Sequence, residues 1–263
     1  MTSLLLTASL VLAQGPSRNV TNAQVETRAA TQSVEREIAA LAARKDDRWV
    51  GYRIAITGSR RSMDCYERSR IALEPAREVL VLARLEAGLV VRLRTATPDC
   101  EIDAGGLPVV WLDGVKPDDS VAWLTSLVNA IPAADERFGR VVRPAVVAIA
   151  MHEGAAATRS LVTIARDHSA PRMRSDALFW LGQRAGTEAA ATIAEAIDRD
   201  PETEVKRRAV FALSQLPKDE GVPKMIEVAR SSRNAVVRKQ AMFWLGQSND
   251  PRALRFFEEI LLK

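Results

Sequence analysis

The chain is poor in the residues from which catalytic and metal sites are usually built. It has two histidines and two cysteines in 263 residues. Neither His152 nor His168 stands near Cys65 or Cys100, so no run has the four close-spaced nitrogen or sulfur ligands of a zinc site. No metal or cofactor is expected. The histidines lie in no triad motif, and Asp103-Ala-Gly-Gly106 lacks the strand-to-helix spacing and the lysine of a nucleotide loop. Charge of one sign is also scarce. The formal net charge is only +4, and acidic residues interleave with basic ones, as in Asp200-Pro-Glu-Thr-Glu-Val-Lys-Arg-Arg208, so a surface for tracking phosphates is not expected. No nucleic acid is therefore predicted as a partner. No stretch has the roughly 18 consecutive apolar residues of a membrane span.

What is present describes a folded chain. Hydrophobic residues at 47% and charged residues at 27% are the proportions of a globular protein, and the length suits two domains, each with its own core. Residues 1–13, MTSLLLTASLVLA, form a short apolar run ending in Val11-Leu-Ala13, which fits a cleaved secretory signal even though no Lys or Arg precedes it. A periplasmic or secreted protein is the expectation. In an oxidising compartment Cys65 and Cys100 are expected to pair, closing a loop of about 35 residues worth roughly 3 to 4 kcal/mol. Two buried thiols or a pair of metal ligands are the competing readings.

Self-similarity decides the architecture of the C-terminal half. Ala177-Leu-Phe-Trp-Leu-Gly-Gln183 recurs as Ala209-Val-Phe-Ala-Leu-Ser-Gln215 and Ala241-Met-Phe-Trp-Leu-Gly-Gln247, in steps of 32 residues, with a weaker copy at Ala145-Val-Val-Ala-Ile-Ala-Met151. Apolar residues at helical spacing on both sides of a Gly/Thr, Pro/Asp or Asn/Asp/Pro break imply two short helices per unit. Asp250 before Pro251 is a cap with a first-turn proline. One such hairpin cannot cover its own apolar stripe, so neighbours must stack. Val147, Phe179, Phe211 and Phe243, and Ile149, Leu181, Leu213 and Leu245, are predicted to be core. Trp180 and Trp244 are either core or exposed anchors, with core the expected place.

The pattern Val237-Arg238-Lys-Gln-Ala241-Met-Phe-Trp-Leu245-Gly246, with a partial copy at Val205-Lys206-Arg-Arg-Ala209, resembles HEAT repeats, and specifically the short variety of phycobilin lyases and deoxyhypusine hydroxylase. The resemblance implies about four helical hairpins over residues 140–263. It does not bring the hydroxylase chemistry with it. That family holds two irons with repeated His-Glu pairs, whereas His152-Glu153 is the single pair here and Arg184, Leu216 and Ser248 occupy the equivalent places. Lyase chemistry would need a chromophore cavity, which repeats alone do not imply.

The N-terminal half, residues 14–130, is predicted to be an α+β domain with an antiparallel sheet. A helix is expected over 22–44 and a strand over Trp49–Ile56, followed by a basic loop at Ser59-Arg-Arg-Ser62. A hairpin of 78–85 with 89–94 comes next, then a strand near Val109–Leu112 and a helix from about Ser120 to Asn129 capped by Asp118 or Asp119. The segment 99–115 resembles exported bacterial HEAT-repeat proteins, a likeness that supplies no activity. Ile131–Asp135 reads as the junction.

The predicted fold is thus an α+β domain followed by an all-α HEAT-like solenoid, and the predicted function is non-catalytic binding of a protein or peptide. A lyase-like or other enzyme on the same fold is the alternative. Second helices are expected to present the binding face, through Glu188, Glu195, Lys224, Glu227, Arg252 and Arg255, with Thr192 and Glu259 beside them. Gln183, Gln215 and Gln247 form an in-phase amide column that either meets a ligand or bonds the hairpin turns. Arg174, Lys206 and Arg238 form an in-phase basic column expected to be solvated or ion-paired between repeats.

Overall fold

The computed structural model describes residues 19–56, 77–184 and 186–262. The predicted signal, the basic loop at 59–62 and Cys65 lie outside the described residues.

The N-terminal unit is built on a five-stranded sheet in the order β2-β7-β3-β4-β5. Its strands are β2 (Val25–Ala29), β3 (Arg48–Ala55), β4 (Glu78–Glu86), β5 (Leu89–Ala96) and β7 (Val109–Asp113). Two short strands, β1 (Val20–Thr21) and β6 (Ile102–Asp103), pair separately in parallel. The hairpin predicted from Glu86-Ala-Gly88 is present, turning through positive φ at Ala87 and Gly88. Strands β3, β4 and β5 form an antiparallel meander, but β7 runs parallel to both β2 and β3. The sheet is therefore mixed, not antiparallel throughout. The crossover from β2 through α1 (Val34–Ala42) to β3 leaves one strand's width open, and β7 fills it.

The single helix predicted over 22–44 is also corrected. Val25–Ala29 pairs residue for residue with Val109–Asp113, and the helix begins only at Val34. The buried Glu37 carboxylate accepts the backbone N–H groups of Thr31 and Gln32 at 3.0 and 3.2 Å, fixing the bend between strand and helix. The helix expected at 120–129 is longer. It is α2 (Pro117–Ala130), entered at Lys116 with Pro117 in its first turn, so Asp118 and Asp119 lie inside the helix, where they complement its dipole, and are not the cap.

After the loop at 131–137 and a π-helical turn, Phe138–Val142, four hairpins follow. They are α3 (Arg143–Met151) with α4 (Ala155–Asp167), α5 (Pro171–Gly182) with α6 (Thr187–Arg199), α7 (Thr203–Gln215) with α8 (Lys218–Ser231), and α9 (Ala235–Gln247) with α10 (Pro251–Leu261). Asn234 caps α9 and Asp250 caps α10 through their side-chain oxygens, as their residue types require. The halves do not keep separate cores. One continuous cluster runs from Val34, Tyr52 and Leu112 through Trp123, Leu124 and Val128 of α2 into the stack, ending at Phe256. Helix α2 packs on α1 and on both α3 and α4, so it closes the sheet and also seals the start of the solenoid.

Within the stack the first and fifth motif positions are interior. Ala145, Ala177, Ala209 and Ala241 are fully buried, as are Ile149, Leu181, Leu213 and Leu245. Small residues let the first helices approach backbone to backbone. At Gly182 a Cβ would lie 2.6 Å from the Ala212 carbonyl oxygen and 3.0 Å from its Cα.

Buried polar clamps tie the loops to this stack. Arg174 binds Asp200 in a bidentate pair, at 2.6 and 2.9 Å, and also donates to the His168 and Ser169 carbonyls. Its counterparts do related work: Lys206 donates to the Asp198 carbonyl and Arg238 to the Ser232 carbonyl, each at 2.7 Å. The basic column therefore staples each first helix to the end of the preceding second helix or to the loop between hairpins. At the end of α3, His152 is 1% exposed, and its Nδ1–H donates to the Ala148 carbonyl at 2.8 Å while Arg184 holds its own carbonyl. Burial pushes the imidazole down to about 4, with the Arg184 charge acting in the same direction, so it is neutral in the folded protein.

Two predictions follow from these contacts. Gly182→Ala should cost about 1 to 3 kcal/mol in a chemical denaturation, because the Ala212 backbone cannot move aside, whereas Gly246→Ala, with nothing within 4 Å, should be neutral or stabilising. The second concerns pH. Between the ordinary histidine value near 6.5 and about 4, the unfolded chain takes up a proton at His152 that the folded chain refuses. Stability should therefore fall on acidification through that window, by about 3 kcal/mol at its lower end. His152→Asn should remove this component of the slope, and an unchanged slope would refute the assignment.

Candidate protein-interaction surface

The third motif position is not interior. Two residues along an α-helix is a rotation of about 200°, so Phe179, Phe211 and Phe243 point away from the buried Ala and Leu faces of their own helices. Phe179 and Phe211 are half-buried, and Phe243 is 54% exposed. They remain aligned. Phe179 and Phe211 stack with ring centroids 6.1 Å apart and planes 7° from parallel. Phe211 meets Trp244 at 5.0 Å, while Trp180 and Trp244 each pack edge-on against the neighbouring Phe179 or Phe243. Trp180 and Trp244 are both half-buried, so neither the core nor the exposed-anchor reading holds alone. The result is an aromatic ladder across the outer face of α5, α7 and α9, where an interior was predicted.

The amide column runs alongside. Gln183, Gln215 and Gln247 are exposed, and Gln183 donates to Gln215 across the repeat boundary at 3.5 Å. Gln215 turns its own amide to Ser214 Oγ at 3.1 Å, so in this pair the bonds run between side chains and not to the turn backbone. Between the third and fourth hairpins lies a cleft of about 250 Å³, with Val222, Met225 and Trp244 as its apolar lining and Ser214, Gln215, Gln247 and Ser248 as its polar lip. The Trp244 indole N–H is shielded there without a hydrogen-bond acceptor. Glu204 pairs with Arg207 and Arg208 on α7, adding charge beside the aromatics. An apolar aromatic strip with a polar margin is the usual anatomy of a protein-binding patch.

The six charged residues predicted to bind a partner lie on the second helices α6, α8 and α10, as expected, but Glu195 and Arg252 are already engaged. Glu195 pairs with Arg166 at 2.9 Å and Arg199 at 3.3 Å. Arg252 is clasped by Asp250 and Asp219 and donates to the Lys218 carbonyl. Those bonds hold the Asp250 carboxyl well below the usual carboxylate range, the Arg252 side chain contributing most. Glu188, Glu227 and Arg255 are exposed and Lys224 is half-buried. Thr192, expected to face outward, is buried and donates to the Glu188 carbonyl at 2.9 Å, while Glu259 pairs with Arg230.

Cys100 is buried, with its sulfur 3.3 Å from Thr97 Oγ1. Among the described residues, no group of three or more His, Cys, Asp or Glu is placed to hold a metal ion, and no helix is long and apolar enough to cross a membrane.

Residues 158–243 and 190–263 match the family model for HEAT repeats, the two matches being displaced by one repeat. No curated protein matches the chain. From residue 158 to 263 the solenoid is thus a set of HEAT repeats, following a unit with a mixed sheet.

Proposed function

We propose that this protein is a non-catalytic interaction module that holds a protein or peptide on the outer face of α5, α7 and α9. HEAT repeats in general mediate protein interaction or scaffolding. The observation that carries the reading is the ladder of Phe179, Phe211 and Phe243, kept in phase across three hairpins although it lies outside the core, with Trp244 joining Phe211 to Phe243. Aromatic side chains on a rigid helical layer offer large contact area at little entropic cost. The adjoining cleft is smaller than the usual small-molecule site and matches one anchoring side chain, which favours a polypeptide over the chromophore of a lyase-like enzyme. Partner capture with the wild-type chain, with Phe179→Ala/Phe211→Ala and with Lys224→Glu/Arg255→Glu tests this. The aromatic pair should abolish capture while circular dichroism shows an intact fold, and the charge pair should leave it intact. Loss only in the charge pair would move the site to the second helices.

The apolar start and the presence of two cysteines, Cys65 and Cys100, also support a proposal that the chain works outside the cytoplasm, in the periplasm or beyond the cell, with the two sulfurs bridged. The intact mass of protein recovered from the exporting host should show cleavage after Ala13. Peptide mapping should show a Cys65 to Cys100 bridge. Uncleaved chains with two reactive thiols would contradict both.

A further inference from the structure

The five-stranded sheet has two edges, and among the described residues only one of them is protected. The π-helical turn and α3 pack against β5, the outermost strand on one side. On the other side β2 pairs with β7 alone, and its residues are exposed except Arg28, which is half-buried. The two ends of this ladder fix which backbone groups face outward. Val109 donates its N–H to the Gln24 carbonyl, and Ala30 donates to the Asp113 carbonyl, so Gln24, Glu26, Arg28 and Ala30 turn their backbone towards β7. Val25, Thr27 and Ala29 therefore aim both N–H and C=O away from the sheet, where no described residue bonds them. The strand has no proline and no bulge to deflect another chain. Charges on an edge ordinarily repel a second strand, but here there is one of each sign, two residues apart, and that makes the strand complementary to its own reverse.

We propose that β2 is a homodimer edge, to which β2 of a second copy adds antiparallel about a two-fold axis at Thr27. In this register Thr27 stands opposite Thr27, Val25 opposite Ala29, and Glu26 opposite Arg28. The outward-facing residues fall together as hydrogen-bonded pairs, each exchanging N–H and C=O with its partner. Glu26 and Arg28 occupy the non-hydrogen-bonded pairs between them, where facing side chains come closest. Both lie on the core side of the sheet, since they pair in register with the buried Val110 and Leu112. Glu26 is exposed, with no ion pair among the described residues. The Arg28 Nε and Nη2 have no hydrogen-bond acceptor, and Glu37 stands 3.6 Å away. The second copy brings a guanidinium to Glu26 and a carboxylate to Arg28. Charge also excludes the neighbouring registers, because a two-fold at Glu26 sets Glu26 against Glu26 and one at Arg28 sets Arg28 against Arg28. An isologous contact of this kind closes at two chains, and the covered β5 edge offers no second place to continue.

Sedimentation velocity and light scattering on the full chain test the proposal. The wild type should have twice the mass of the 28.8 kDa chain. Thr27→Pro removes an N–H that faces outward, so it should give the monomer while the pairing of β2 with β7, and with it the far-ultraviolet circular dichroism, is kept. Glu26→Arg and Arg28→Glu each set like charges opposite one another twice per dimer, and each alone should raise the dimer Kd by about tenfold or more. Mixed in equal amounts the two variants should pair again, because each copy then meets the opposite charge at both places. Phe179→Ala/Phe211→Ala should leave the dimer intact, so failure of the dimer and failure of the partner-binding face are read separately. A wild-type chain that stays monomeric at the highest concentration reached, a dimer that survives Thr27→Pro, or a folded mixture that pairs no better than its two components would each overturn it.

Discussion

A hairpin of two short helices has more apolar surface than it can fold over itself, and the solenoid half of this protein answers that constraint. The alanines at 145, 177, 209 and 241 are the smallest buried side chains in the motif, and they bring successive first helices close enough for larger neighbours to interlock. Gly182 against Ala212 is the tightest expression of the same rule. The stack needs a solid surface to begin on, and α2 supplies it. With one side on the sheet and the other on α3 and α4, that helix turns two sequence regions into one cooperative core.

Polar groups follow from this arrangement. The last turns of the second helices and the loops after them carry carbonyls with no partner inside the helix, and a basic residue in each of three repeats reaches back to satisfy one or two of them. Arg174 also carries a buried carboxylate partner. Removing either member would strand the other in a low-dielectric setting, so the pair acts as a fixed joint more than as a source of net stability. The in-phase bases are thus explained by architecture and leave recognition to other residues.

Those other residues occupy the outer side of the first helices. The ladder from Trp180 to Phe243 was visible in the sequence as a column, but its meaning depends on helical phase. Ala177 and Leu181 face inward, and Phe179 stands about 200° round from Ala177. Counting that rotation would have placed the aromatics outside; reading them only as apolar residues in register placed them within. The charged positions were read correctly onto the second helices. Which of them pair, as Glu195 does with Arg166 and Arg252 with Asp219, depends on the spacing between repeats, which periodicity does not contain.

The sequence by itself determined the hairpins, their 32-residue step, the cap at Asp250, and the strands of the meander, because each depends on local spacing or on turn chemistry within a few residues. Only the tertiary structure decided the parallel insertion of β7 between β2 and β3, the strand at Val25–Ala29 where a helix was predicted, and the single core shared through α2. These rest on contacts between residues some 80 positions apart, such as Val25 with Val109. A strand with one weak apolar face takes its conformation from the partner it finds, and that choice is settled by what the rest of the chain leaves uncovered.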